Sequence, residues 1–299
     1  MPTLLLVRYG ELALKSAPVR REFEAALRRN LLDQFVRAGL PARVRADHGH
    51  LYVEADDAAR AAPLVARVFG VTSVSVVHEV PTVRAEITRE LLDLAAPRLR
   101  PGASFAVRAR RTGQHPFTSQ ELARDLGGDL LDRFAPLGLR VDLEQPDVEL
   151  FVEVRGPRTY LYFDRTPGPG GLPLGVAGHL VAYVDGSRAA LGAWLMMKRG
   201  CRVGLVVGAG GEPYADTVLA RYDPNVRRIA APEGPEGWAA AVGELAESTH
   251  ADGVVLPIGV EAYPGVLGRW GDRVVFSPTI GLTDAEVEER WQIVAARAE

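Results

Sequence analysis

Apolar residues in the first eighty positions follow two rhythms. Thr3 to Val7 is a short apolar run that predicts a strand, and Val19, Phe23, Leu27, Leu31 and Phe35 mark one face of a helix from 19 to 37. Strands at 42–45 and 51–54 follow, joined through Asp47-His48-Gly49-His50, then a helix at 58–69 ending at Gly70 and a strand at 73–77. This β-α-β-β-α-β order is that of a ferredoxin-like module. Past Pro81 the pattern becomes helix 84–99, strand 104–110, helix 119–134 and strands 148–154 and 159–163, with Thr118 and Glu121 spaced as a capping box. Thr166 to Gly175 is rich in proline and glycine, continues neither helix nor sheet, and reads as a domain boundary. Strands near 180–184, 202–207 and 253–256 then alternate with helices near 188–199 and 237–248, which predicts a parallel sheet. Thr283 and Glu286 cap a final helix. The predicted fold class is an α+β N-terminal half followed by an α/β parallel-sheet domain, divided as 1–78, 79–166, a linker at 167–178, and 179–299.

Composition narrows the function classes. Hydrophobic residues make up 47% and charged residues 24% of the 299, ordinary for a globular chain without a membrane span, and a cytoplasmic location is expected. The single Cys201 excludes an intrachain disulfide and a cysteine-rich metal site. Net charge is only −3, but residues 1–170 hold 24 Lys and Arg against 22 Asp and Glu, while residues 171–299 hold 11 against 16. Lys15 and Lys198 are the only lysines, so the positive charge is nearly all arginine, whose planar fork suits phosphate.

One candidate for chemistry is the passage from Leu180 to Gly200, where a strand runs through Asp185-Gly186-Ser187 into a helix. Phosphate could sit on the helix N-terminal amides there, but Asp185 would repel it. A second lies between Asp93 and Glu121, which holds no acidic residue but carries Arg98, Arg100, Arg108, Arg110, Arg111, Gln114 and His115. On a strand, Arg108 and Arg110 share one face, a phosphate-binding surface that Lys15 could extend. Arg20, Arg21, Arg28 and Arg29 are diluted by Glu22 and Glu24 and read as a solvated helix face. His48 and His50 fall short of a metal site, and no metal is expected. Gly208 to Pro213 imitates a dinucleotide turn, but Pro213 takes the third glycine's place and the passage reads as a loop without a helix.

Three passages in order resemble the tRNA 4-thiouridine synthetase (tRNA sulfurtransferase) family. Arg8 to Lys15, with Phe23 and Asn30-Leu31, resembles its ferredoxin-like opening; Phe105 to Arg111, Thr118-Ser119 and Pro146 to Arg155 resemble its THUMP domain. Gly168 to Gly175 and Leu195 to Gly200 resemble the start of its PP-loop pyrophosphatase domain. The resemblance implies tRNA binding near the acceptor end and a homodimer. Family members adenylate a tRNA uridine with ATP and replace its oxygen by sulfur. Their PP-loop reads Ser-Gly-Gly-x-Asp-Ser; Val184, Asp185, Gly186, Ser187, Arg188 and Ala189 stand under it, so one glycine survives. The sequence ends at Glu299, ahead of the segment that carries the family's catalytic cysteine, and Cys201 is no substitute. The expected function is therefore a non-catalytic tRNA-binding relative without cofactor, working alongside a separate modifying enzyme. The alternative is a diverged synthetase that still binds ATP and takes sulfur from a partner.

Overall fold

The computed structural model describes residues 3–10, 16–47, 50–233, 237–266 and 268–298. In chain order its elements are β1 (Thr3–Tyr9), α1 (Ala17–Arg37), β2 (Ala42–Asp47), β3 (His50–Ala55), α2 (Ala58–Ala66), β4 (Val71–Pro81), α3 (Arg84–Ala95), β5 (Ser104–Thr112), α4 (Ser119–Arg133), β6 (Arg140–Val141), β7 (Val148–Arg155), β8 (Arg158–Tyr162) and β9 (Thr166–Pro167). They continue with β10 (His179–Val184), α5 (Ser187–Lys198), β11 (Arg202–Val207), α6 (Glu212–Tyr214), α7 (Ala220–Tyr222), β12 (Arg228–Ala230), α8 (Gly237–Ser248), β13 (Gly253–Val255), α9 (Tyr263–Val266), β14 (Val274–Phe276) and α10 (Asp284–Ala298). Two compact units result, one of Met1–Val7, Arg45–Ala58 and Val74–Thr166, the other of Arg8–Val44, Ala59–Ser73 and Pro167–Glu299.

Nine strands make one sheet in the order β2-β3-β1-β4-β8-β7-β5-β6, with β9 beside β4. The first four reproduce the ferredoxin-like arrangement expected from the sequence. In the first unit α3 buries Ile87, Leu91 and Ala95, and α4 buries Leu122, Leu126 and Leu130. Each set recurs every fourth residue, so each helix turns one stripe onto the inward residues Phe105, Val107, Leu150, Val152, Val154 and Leu161. Burying each such leucine contributes roughly 1.5–3 kcal/mol. β5 lies parallel to β7, with Arg108 opposite Phe151 and Arg110 opposite Glu153.

The second unit contains the predicted parallel sheet, ordered β12-β11-β10-β13-β14. Alternation along β10 sends Leu180, Ala182 and Val184 into a core with α5 and α10, and Val181 into a second core with α8. Both faces are thus covered, as a parallel sheet requires. Phe69, Trp194 and Tyr222 form an aromatic cluster with centroids 5.3–5.9 Å apart. The Tyr222 hydroxyl donates to Val294 O at 2.8 Å, and burial pushes its pKa up to about 12. From α1, Gln34 donates to Arg221 O and Asn30 to Leu174 O, while Arg202 bonds the buried Asp223 and reaches Asn30. Burial raises the Asp223 carboxyl even with Arg202 beside it.

Several expectations need correction. The second helix stops at Ala66 because the chain tightens into i→i+3 turns, Val68 N bonding Val65 O and Val71 N bonding Val68 O. The third stops at Ala95 although Ala96 keeps helical backbone, because Pro97 has no N–H to bond Asp93 O and continue the ladder. The strand expected at 73–77 runs from Val71 to Pro81. Helix does open at Glu212: Pro213 stands in the first turn, where its missing N–H costs nothing, and α6 continues through a π-helical turn, Ala215–Leu219, into α7. The proline–glycine run is fixed in place. Gly170 N bonds Val71 O, Leu172 N bonds Lys198 O, and a Cβ on Gly168 or Gly171 would lie 2.3 Å from Val71 O or 2.1 Å from Lys198 O.

Candidate nucleic-acid interface and nucleotide loop

The arginine-bearing strand β5 is anchored at its start. Asp147 accepts from Ser104 N at 2.8 Å and Ser104 Oγ at 2.7 Å, and these bonds hold its carboxyl below the ordinary aspartate range. α4 opens with the predicted capping box: Glu121 N donates to Thr118 Oγ1, Thr118 N donates to Glu121, and Glu121 is lowered in pKa chiefly by that backbone bond. The positive end of α4 therefore lies near β5.

A groove of about 730 Å³ opens here, lined by Arg108, Arg110, Ser119, Phe151, Phe163 and Arg165 among others. Arg110 is exposed and makes no ion pair or hydrogen bond among the described residues. Arg108 is engaged, its Nε 2.7 Å from Glu149 and its Nη2 donating to Leu143 O at 2.6 Å. Arg98 places its guanidinium 4.1 Å from the Phe163 ring centroid, and Arg165 lies 4.2 Å from that of Phe151, which stacks on Tyr162. Each spends one in-plane donor within the chain, Arg98 on Leu94 O and Arg165 on the Tyr162 hydroxyl, and stacking leaves the rest in plane for phosphate or base edges.

Of the residues proposed from sequence, the groove brings together Arg108 and Arg110, and Arg98 joins them through Phe163. Arg111 is near the end of β5 and donates to Gly113 O, while Gln114 and His115 lie in the turn beyond the strand, where His115 stacks on Phe117. Arg100 is exposed in the turn before β5, at the strand's opposite end. Lys15 and His48 lie outside the described residues. His50 contacts Arg155 at 2.9 Å and Glu153 at 3.8 Å, beside the ion pair that those two residues make with each other. Phe151, Phe163 and Arg165 escaped sequence reasoning. Phe151 alternates with the buried Leu150 and Val152, which could have marked it as a residue of the opposite face.

In the second unit, Val184 is buried in β10 and Ala189 in α5, leaving Asp185 and Gly186 as the loop proper, with Ser187 the first residue of α5. Partial desolvation raises the Asp185 carboxyl above its ordinary value. Gly186 caps α5 without a side-chain bond, and the first backbone bond of the helix is Ala190 N to Gly186 O. Arg188 turns away to the C-terminal segment, donating to Thr279 O, Leu282 O and Asp284, each at 2.8 Å. The neighbouring glycine turn closes on the same strand end: Gly208 N bonds Val184 O, and a Cβ on Gly211 would lie 2.1 Å from Val184 O. Cys201 is buried, donates to Ala177 O at 3.3 Å, and is raised in pKa by burial. It is a protonated core thiol.

With this geometry in view, residues 4–75 match the ThiI ferredoxin-like domain and residues 84–164 the THUMP domain. The probable tRNA sulfurtransferase of Methanosarcina acetivorans is 39% identical over 219 residues, 72% of this chain and 53% of that protein; the one from Aeropyrum pernix is 41% identical over 217 residues, 71% and 54%. The chain belongs to the tRNA sulfurtransferase family. This sulfurtransferase relative spans about half the length of the curated proteins it matches. Among solved structures, PH1313 from Pyrococcus horikoshii is 26% identical, with a TM-score of 0.81 over 97% of this chain and 99% of that one. A 4-thiouridine synthetase solved with RNA and bound ATP shares the fold at 22% identity and TM-score 0.80, over all of this chain and 86% of that one. Both of these structures thus share the fold along nearly the whole chain. Among the described residues no helix is long and apolar enough to cross a membrane.

Proposed function

We propose that this family member binds tRNA near its acceptor end through the THUMP groove and acts in or alongside tRNA modification without catalysing thiolation itself. The observation that carries the reading is the pairing of an unengaged Arg110 with the aromatic-stacked Arg98 and Arg165 around one groove, which joins phosphate-binding charge to stacking surface. Arg108, Arg111, Gln114 and His115 flank it, with Arg100 and Lys15 further contacts. The inactive half of the reading rests on the loop at 184–189. A carboxylate stands where the PP-loop has a glycine, and Arg188, under the motif's aspartate, is spent on Thr279, Leu282 and Asp284. A triphosphate there meets repulsion without a compensating free cation. We assign the domains as 1–78, 79–166 and 179–299 with a connector at 167–178, and infer a homodimer working with a separate modifying enzyme.

The names of the relatives favour the second reading, a diverged synthetase that adenylates tRNA with ATP and takes sulfur from a partner. Incubation with labelled ATP and tRNA separates the two. The first expects salt-sensitive tRNA binding with no adenylate transferred; transferred adenylate establishes the second, and absence of salt-sensitive binding removes both.

A further inference from the structure

β5 has an unfinished edge. Arg140 N donates to Ala103 O and Asp142 N to Phe105 O, which fixes the side of β5 that faces β6. β6 pairs only at Ser104 and Phe105 and then leaves the sheet. By the alternation of a strand, the N–H and C=O of Val107, Ala109 and Arg111 point to that same side, and no described strand pairs with them.

Beside this edge, on the helix face, lies a second groove of about 610 Å³, lined by Phe105, Val107, Gly128, Leu131, Val141 and Leu143 among others. Three of these apolar side chains are exposed, Leu131 by 37%, Val141 by 54% and Leu143 by 61%. Gly127 and Gly128, consecutive within α4, leave the groove open: a Cβ added to either meets nothing within 4 Å. Two glycines in a helix interior cost about 1 kcal/mol each against alanine, so the opening is not a by-product of helix formation.

The charge pattern selects the occupant. If a second copy paired its β5 antiparallel about Ala109, Arg108 would stand opposite Arg110 twice over, and like charges directly opposite destabilise a ladder. A strand with acidic side chains on that face and apolar ones on the other satisfies both sides at once. We propose that this edge accepts an extended segment of a partner protein in which acidic and apolar residues alternate, its backbone completing the ladder of Val107, Ala109 and Arg111 and its apolar side chains filling the groove over Gly128. The inference rests on strand geometry, independent of the RNA reading, although a segment seated there faces Arg108 and Arg110 and competes with RNA for them.

The test uses the full chain and a fluorescein-labelled seven-residue peptide of alternating glutamate and valine, beside a peptide of the same composition with the glutamates grouped. The alternating peptide is expected to bind saturably and to slow amide exchange at Val107, Ala109 and Arg111 at least tenfold. Gly128→Leu, which fills the groove with a good helix former, is expected to weaken that binding at least fivefold while tRNA affinity is retained and Tm is not lowered. Equal binding of the grouped peptide, unchanged exchange at the three amides, or full affinity in Gly128→Leu overturns the proposal. So does preferential protection of those amides by a short unpaired oligoribonucleotide over the peptide.

Discussion

Arg108 and Arg110 stand two residues apart on one strand face, yet their side chains are in different states. Arg108 is already charge-compensated by Glu149, whereas Arg110 has only solvent to lose when a phosphate approaches. Arg110→Gln is therefore expected to weaken tRNA binding about three- to tenfold and to reduce the dependence of log K on log salt by about 1. Arg108→Gln should cost less binding, because its guanidinium is already bonded to Glu149 and Leu143 O and was never fully available to phosphate. Filter binding at several salt concentrations reads both, and Tm should be nearly unchanged in Arg110→Gln, as exposed substitutions usually shift stability within about 0.5 kcal/mol. Glu121 carries a pH signature. Its folded pKa is depressed by the bond from Thr118 N, so its contribution is present above the ordinary glutamate pKa of about 4.3 and lost as pH falls through the lowered value. Comparing Tm for wild type and Glu121→Ala across that range should show the gap closing on the acid side.

At the scale of elements, glycines of opposite character give opposite expectations. Gly127 lies in α4 with nothing in reach of a new methyl, so Gly127→Ala should stabilise by about 1 kcal/mol. Gly211→Ala would press a methyl into Val184 O and should destabilise by roughly 1–3 kcal/mol, read by urea unfolding. Much of this architecture is legible in sequence because local chemistry decides it. The capping boxes at Thr118 and Thr283 and the helix at Gly237–Ser248 form where predicted, and the alternation along β10 foretells a sheet covered on both faces. What stays hidden is set by distant partners. The π-helical turn at Ala215–Leu219 follows no periodic pattern, the two-residue β6 is too short to have one, and Phe163 meets Arg98 only because β8 returns past α3. The groove was thus half visible: its strand cations could be read in order, its aromatic partners could not.

For the whole molecule, the compact units do not follow the order of the chain. α1 and α2 flank ferredoxin-like strands in sequence, yet Leu27, Asn30, Gln34 and Phe69 belong to the unit that holds the parallel sheet. A fragment ending at residue 166 should leave the apolar sides of those helices bare and bind the dye ANS, and a fragment of 167–299 should lose the ring packing of Trp194 and Tyr222 and with it near-ultraviolet dichroism. Co-expression of the two fragments should restore both signals. The glycines at 168 and 171, held against the carbonyls of Val71 and Lys198, rivet the proline–glycine run to the second unit instead of leaving it a tether. Proteases that attack slack connectors should find no purchase there, and a THUMP module cut out at its sequence borders would travel without the Met1–Val7 and Arg45–Ala58 segments of its own compact unit.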